Sequence, residues 1–438
     1  MKMINIRRRF LLLIRIFALV AGSVVGGLIA LTLVFMLPAD IMKQHVSSSI
    51  DIFYTESVYP MQVQGYKSTQ LDNETDAIML LGAIHETDEL NPLQQAVAVP
   101  HITMSGVNSK CITLKNYLWD NMIPDGESNY DRYWHGYMLY LKPLLLFMDY
   151  ADIRVLNMIL QTLLLLYLLR KLVRKRMEGM IPALGIFVVI LNPAATAMSL
   201  QFSSIYYIVL ISLLILVKYK SQLFNSDNIY FFFAAIGIAV AYFDFLTYPI
   251  AAFIVPASVV LSLDDENWKR KILNIVKLGL CWGIGYIGMW AGKWIIGSLI
   301  LDTNILAEAF GRMTVHSGEA VQMDGKALSA WEVLWKNIKV LLKWPYFLLA
   351  VATVIYYGKA VLFKVNRKTI MLCIPFLILC LIPCIWIMLL KSHSLWCYWY
   401  TYRNLGSTAF AVVIMLKSIS DPGFNSVPCV PREGWTEY

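Results

Sequence analysis

Apolar runs close to the roughly 20 residues needed to cross a ~30 Å hydrocarbon core recur along this whole chain. Ten are read, at residues 11–37, 138–169, 180–200, 204–217, 229–245, 246–263, 272–299, 346–363, 369–390 and 405–417. Hydropathy marks their existence more sharply than their ends. A chain with this repetition has to be solvated by lipid, and its composition agrees: 58% of its 438 residues are hydrophobic and only 15% are charged. Soluble domains carry roughly a quarter charged residues, so there is too little polar surface here to cover a water-facing particle of this size. The expected fold class is an all-α integral membrane protein with about ten transmembrane helices. Gly 24, Pro 16 and seven Cys exclude collagen-like, disordered and disulfide-stapled architectures.

The first run follows Arg7, Arg8, Arg9 and Arg15 and is too long for a cleaved signal peptide, with no small-residue cleavage site near its end. It reads as a retained signal anchor. With a cytoplasmic N-terminus, the alternation of spans puts every basic cluster inside: Arg170, Lys171, Arg174, Lys175 and Arg176; Lys218 and Lys220; Lys269, Arg270 and Lys271; Lys364, Arg367 and Lys368. The first outer loop instead holds thirteen acidic against five basic residues. That asymmetry follows the positive-inside rule. The net charge of +8 is therefore topological, attracted to anionic headgroups. Nucleic-acid binding is discarded, because the clusters are split among short turns and no recognition module appears. The expected organisation is a signal anchor and first span (1–37), an extracytoplasmic loop (38–137), a polytopic domain (138–420) and a short cytoplasmic tail (421–438), in a multi-pass protein of the cell membrane.

Residues 38–137 are too many for a plain connector and should fold, as amphipathic helices lying on the membrane. All six His fall in outer loops or at span ends, so chemistry belongs on that side. Asn73-Glu74-Thr75 fits a glycosylation sequon, a pattern common by chance.

Several outer-face motifs carry candidate chemistry. In Leu71-Asp72-Asn73-Glu74-Thr75-Asp76, the two aspartates are four apart and share a helix face. They can act as general base toward a hydroxyl, or hold a metal, while the same cluster reads as a helix N-cap. Tyr133-Trp134-His135-Gly136-Tyr137 is an interfacial aromatic belt with one imidazole that needs a partner. Asp149, Asp152, Arg154 and Asn157 lie close to or inside the second run, where unpaired charge costs several kcal/mol. Either they pair with one another, or the span starts nearer Ile153 and 137–150 is a surface helix, which is the favoured reading. Asp244 sits in a short turn before Pro249. The stretch 393–403 gathers Trp396, Trp399 and tyrosines around His393, Tyr402 and Arg403, and an Arg fork suits phosphate. Lys293, Arg312, His316 and Lys326 are further anion-binding candidates. Gly283-Ile284-Gly285-Tyr286-Ile287-Gly288 matches G-x-G-x-x-G but lies in mid-span without a strand, so Gly279/Gly283 and Gly288/Gly292 are read as close-packing small residues. Cys373, Cys380 and Cys384 have no His partner and are read as small apolar residues.

Leu37-Pro38, Tyr59-Pro60, the 71–76 cluster, Tyr133 to Tyr137 and Tyr402-Arg403-Asn404 together resemble bacterial polytopic membrane proteins whose plan is similar to the C-type (GT-C) glycosyltransferase superfamily. That resemblance implies a many-helix domain, a large first outer loop bearing an acidic catalytic residue, and a lipid-phosphate-linked sugar donor. The acid would be Asp72 or Asp76, with Asp40 as an outsider, and Arg403 with His393 would hold the donor phosphate. Asp72 lies some thirty-five residues beyond the first span, farther than the usual spacing. The expected function is transfer of a sugar from a polyprenyl-phosphate donor to a glycan, lipid or protein hydroxyl on the outer face, with His135, Asp244, His393, Tyr402 and Arg403 binding substrate. No cofactor is certain, and a divalent metal is compatible but not required. The alternatives are a transporter or flippase of lipid-linked glycan, and a polysaccharide polymerase or ligase.

Overall fold

A computed structural model describes residues 2–224, 226–362, 364 and 366–421. Beyond Asp421, the tail expected at the C-terminus lies outside the described residues. The chain folds as helices, with only two short two-stranded ribbons among the described residues. Each of the ten apolar runs is helical over most of its described residues, but the helices differ in reach. Five are long and apolar enough to cross a membrane: Phe10–Phe35, Tyr150–Arg174, Leu200–Lys218, Trp268–Leu301 and Thr369–Leu389. A sixth appears if Ala330–Leu341 and Trp344–Gly358, bent by 86°, count as one span. Glu178–Leu191, Asn228–Phe243 and Ala251–Leu263 are apolar but shorter. At about 1.5 Å per residue, a 13-residue helix extends only about 20 Å.

The interruptions have local causes. The second run breaks after Met138–Leu145, and a new helix, Tyr150–Arg174, starts where the Asp149 carboxylate accepts the Asp152 N–H at 2.8 Å. The favoured late start is thus observed, although Met138–Leu145 is no surface helix: Met138, Leu141, Lys142 and Leu145 are buried. The third run stops at Asn192, whose φ of 58° ends Ile181–Leu191. Its side chain then caps Pro193–Met198 through the Ala195 N–H at 3.1 Å.

Glycines set the closest helix crossing. A Cβ on Gly285 would meet the Ala234 carbonyl oxygen at 2.1 Å, and one on Gly237 the Trp282 carbonyl oxygen at 2.1 Å. Asn228–Phe243 and Trp268–Leu301 therefore touch backbone to backbone. Of the four glycines expected to pack, Gly279, Gly288 and Gly292 lie against Phe253, Val20 and Val24, whereas Gly283 has no neighbour within 4 Å. Gly285, which the four-residue spacing passed over, does the work assigned to Gly283.

The segment 38–137 does fold, with helices Ala39–Ser48, Asp51–Thr55, Asn73–Ile84, Pro92–Ala98 and Lys110–Leu118, and strands His101–Thr103 and Gly126–Ser128 paired antiparallel. Ala39–Ser48 buries only Ala39, Met42 and Val46, as an amphipathic helix should. Asn73–Ile84 corrects the expectation of a helix lying on the membrane, because nine of its twelve residues are buried. After Asp76 its sequence has no polar stripe, so it needs protein on every side. One large core joins 181–217 to 232–263 and the last helices, and a second joins the first helix to the helices of 38–137. The start of Leu200–Lys218 belongs to both, with Leu200 in the second and Phe202 in the first.

Candidate functional site: a carboxylate pair at the seam between the cores

Asp72 and Asp76 sit at that seam, 3% and 0% exposed. Asp72 is the N-cap of Asn73–Ile84: its Oδ1 accepts the Thr75 N–H at 3.0 Å. The Gln201 amide donates to its Oδ2, and its own N–H donates to Ser199 Oγ at 3.0 Å. The capping reading of Asp72 is thus observed. Asp76 Oδ2 accepts the Tyr150 hydroxyl at 2.6 Å and the Leu200 N–H at 3.0 Å, while its Oδ1 is buried with no hydrogen-bond partner. The N-termini of Asn73–Ile84 and Leu200–Lys218 therefore each give a backbone N–H to one of the two carboxylates, the favourable sense for negative charge, while Tyr150 reaches Asp76 through its side chain. Burial dominates nonetheless: it raises Asp72 to about 7 and Asp76 to about 6, with the Arg154 charge pulling Asp76 back.

The cation near Asp76 comes from a pairing that no local spacing announces. Arg154 Nη1 donates to both Glu56 oxygens, at 2.9 and 3.1 Å, and its Nη2 to Asn73 Oδ1 at 2.7 Å. Asn73 Nδ2 donates in turn to Glu56 Oε2 at 2.9 Å and to the Ser57 carbonyl at 3.0 Å. Arg154 thus pairs with Glu56 rather than with Asp149 or Asp152. Asn157 is occupied separately, donating to the Ala197 carbonyl at 2.7 Å and to Ser203 Oγ at 2.8 Å. Because Asn73 is wholly buried, the sequon carries no glycan in this fold.

Asp72 faces the 393–403 stretch. Tyr59 packs on Trp399 with ring centroids 5.3 Å apart. Burial, and after it the Asp72 charge, raises the Tyr59 hydroxyl; burial and Asp72 together push the Cys397 thiol up to about 12. Tyr400, which packs on Phe202 at 5.6 Å, feels the same charge. Two motifs more than 300 residues apart are therefore neighbours. Tyr130 stands beside them: burial raises its hydroxyl, Arg132 and Arg312 pull it down, and Asp72 adds a smaller upward push.

Around Tyr130 the aromatic belt is an interior cluster rather than a lipid-facing girdle. His135 is buried, adopts φ 55°, and bonds the Tyr137 hydroxyl at 2.9 Å and the Tyr130 carbonyl. Burial first, and Lys293 next, hold its imidazole well below the usual range, so it is neutral. Phe245 packs against Tyr130, Tyr133, His135 and Tyr137. Asp244 is buried, and its carboxylate is satisfied by its own turn, accepting the Thr247 N–H at 2.9 Å and the Thr247 hydroxyl. The plain-turn reading describes those bonds. Lys293 donates to the Val97 carbonyl at 2.6 Å.

His393 Nε2 donates to the Leu246 carbonyl at 3.1 Å, and its ring lies 4.9 Å from His316. Burial, then His316, lowers it to about 4. Arg312 and Arg132 act on His316 in turn. Arg132 is paired with Glu308, but Arg312 has no ion-pair partner among the described residues. Tyr402 and Arg403 point the other way. The Tyr402 hydroxyl donates to the Ile190 carbonyl at 3.1 Å, and Arg403 Nε donates to the Leu191 carbonyl at 3.1 Å. Arg403 also donates to the Trp399 carbonyl at 3.1 Å and stands 4.0 Å over the Phe202 ring, leaving its Nη2 without a partner. Both residues cap the broken helix Ile181–Leu191, where a cation meets the negative helix end.

Of the residues singled out in the sequence, Asp72 and Asp76 lie together at the seam and His393 lies against His316. Sequence reasoning missed Glu56, Tyr59, Tyr150 and Gln201; the one available signal was that a lone Arg154 in an apolar helix requires a carboxylate from elsewhere. No group of three or more His, Cys, Asp or Glu positioned to hold a metal ion occurs among the described residues. Compared with protein-family models, with curated proteins and with solved structures, the chain finds no match.

Proposed function

We propose that the chain is a multi-pass membrane glycosyltransferase working on the extracytoplasmic face, with a cytoplasmic N-terminus and ten crossings, the shorter apolar helices included. A polyprenyl-phosphate sugar is the donor. The observation that carries the reading is Asp72: a carboxylate shut from water, bonded only to uncharged donors among the described residues, and raised to about 7. Such a group takes a proton readily near neutral pH, as a general base must. In the proposed step the acceptor hydroxyl oxygen attacks the anomeric carbon, and its proton passes to Asp72. The bond from that carbon to the phosphate oxygen breaks, and polyprenyl phosphate leaves with the electron pair. Arg312 offsets the charge on the leaving phosphate, with the neutral rings of His316 and His393 beside it. Asp76 positions the ends of Tyr150–Arg174 and Leu200–Lys218, and Arg403 fixes the 393–403 stretch from behind.

The test is transfer from a polyprenyl-phosphate sugar by purified protein in proteoliposomes. Asp72→Asn should lower turnover by about 10²–10⁴-fold, the usual contribution of a general base. Undiminished turnover in Asp72→Asn would remove it as the base. Movement of the lipid-linked sugar across the bilayer with no covalent product would favour a flippase instead.

A further inference from the structure

The helix Ala330–Leu341 divides its surface three ways. Val333, Leu334, Asn337 and Val340 are buried on the protein. Asn337 ties that side down, donating to the Ser394 carbonyl at 3.1 Å and accepting the Thr401 hydroxyl at 2.7 Å. Trp331 and Trp335, 70% and 50% exposed, and Leu342 just past the helix end, at 52%, form a second stripe. Glu332, Lys336, Lys339 and Lys343 form a third. At 3.6 residues per turn the three stripes are centred about 90–150° apart. The next helix leaves at 86°, and its Trp344, Phe347, Leu348, Val354 and Ile355 continue the exposed apolar surface.

The basic stripe is turned toward the candidate site. Lys336 stands 4.5 Å over the Tyr398 ring, and Lys343 5.8 Å over that of Tyr66. Tyr398 packs on Trp399, which packs on Tyr59 beside Asp72. A helix with a Trp-bearing apolar face and a lysine face, set at a right angle to an apolar helix, matches a lipid interface: rings at the headgroup level, cations against phosphates. A protein partner would give no reason for the right angle, nor for an apolar surface running unbroken from the second stripe onto the perpendicular helix.

We propose that Ala330–Leu341 lies in the plane of a lipid leaflet, with Trp331, Trp335 and Leu342 among acyl chains, and that Lys336, Lys339 and Lys343 hold the phosphate of an anionic lipid at the mouth of the Asp72 site. This rests on the membrane-transferase reading, since the lipid donor carries the same phosphate chemistry.

The full chain, reconstituted in bilayers of phosphatidylcholine and phosphatidylglycerol, tests it with the photo-cross-linking residue p-benzoylphenylalanine placed at Trp335 or, as control, at Val354. Irradiation at 335 should give lipid adducts in which phosphatidylglycerol is enriched over its bulk share by about fivefold, the value of a single interfacial lysine. Replacing Lys336→Gln, Lys339→Gln and Lys343→Gln together should return the ratio to bulk, and the Lys→Arg triple should keep it, which separates charge from misfolding. Lipid adducts at 354 with none at 335, or an adduct ratio at bulk in the otherwise native chain, overturns the proposal while leaving the membrane reading intact. Absence of lipid adducts at both positions overturns both. Enrichment in a protein that transfers no sugar would sink the transferase reading alone.

Discussion

Replacing Arg154 by methionine should be among the most damaging single changes in the molecule. The guanidinium is almost shut from solvent, its side chain 6% exposed, and it answers three acceptors: both Glu56 oxygens and Asn73 Oδ1. It is also the main charge that favours ionised Asp76. Arg154→Met fills a similar volume but leaves Glu56, 27% exposed, with Asn73 alone. Removing one partner of a buried ion pair costs about 3–5 kcal/mol. Glu56→Gln keeps an acceptor for the guanidinium and should cost about 1–3 kcal/mol. In the double variant neither charge is stranded, so its cost should fall short of the sum by about 0.5–3 kcal/mol. Thermal unfolding in detergent can be followed with a thiol-reactive fluorogenic dye, because Cys111, Cys281 and Cys380 are buried and free in the fold. At about 2.1 cal/mol/K per residue, Arg154→Met should lower the melting temperature by about 3–6 °C. Strict additivity of the two single changes, or a melting temperature for Arg154→Met within about 1 °C of the native chain, would refute the argument that these groups form one network.

Further outcomes follow from the same geometry. Asp72 and Asp76 have raised pKa values in the fold, so the stability they contribute is complete below the ordinary carboxylate range near 3.8 and is lost as pH rises through about 6 and 7. The melting temperature should therefore decline from pH 4 to pH 8, and Asp72→Asn should flatten part of that decline; an unchanged slope in the variant would count against it. On the proposed transferase reading, transfer should instead rise through about pH 7, as Asp72 becomes able to accept a proton, and a rate independent of pH between 5 and 8 would contradict the proposed role. Gly285→Ala should destabilise by about 1–3 kcal/mol through overpacking, while Gly283→Ala should be neutral or slightly stabilising through helix propensity; equal melting temperatures would undo the crossing described above. Expressed in a glycosylating host, the chain should carry no glycan on Asn73, which a mass shift on glycosidase treatment would disprove.

The sequence made helices legible wherever a single stretch decides the outcome. Runs of apolar residues announce a helix, and the polar residues at 149–157 announce its late start, because hydropathy acts over a few residues. Asp72 and Asp76 were legible for the same reason, as a local acidic cluster opening an apolar stretch. What escaped depends on contacts between remote segments. Glu56 is one of thirteen acids in its loop, and only the packing of Asn73–Ile84 against the start of Tyr150–Arg174 selects it for Arg154. Gly283 and Gly285 differ by 200° around their helix, so spacing alone could not say which faces Ala234. Arg403 looked free to bind phosphate because its partners, two main-chain carbonyls, leave no trace in side-chain patterns.

The caps supplied by Tyr402 and Arg403 also bear on the order in which the molecule can be assembled. The Ile190 carbonyl acquires its donor, and the Leu191 carbonyl a second one beside the Thr196 hydroxyl, from residues made some 210 positions later. A nascent chain therefore carries an incompletely capped helix end past the synthesis of most of its helices. Asn404–Ser420, the last helix among the described residues, follows those two donors directly. Chains cut shortly before residue 400 should insert yet stay open to proteases at 190–200, whereas chains cut after 421 should be protected, which places the final latch of folding at the C-terminal end.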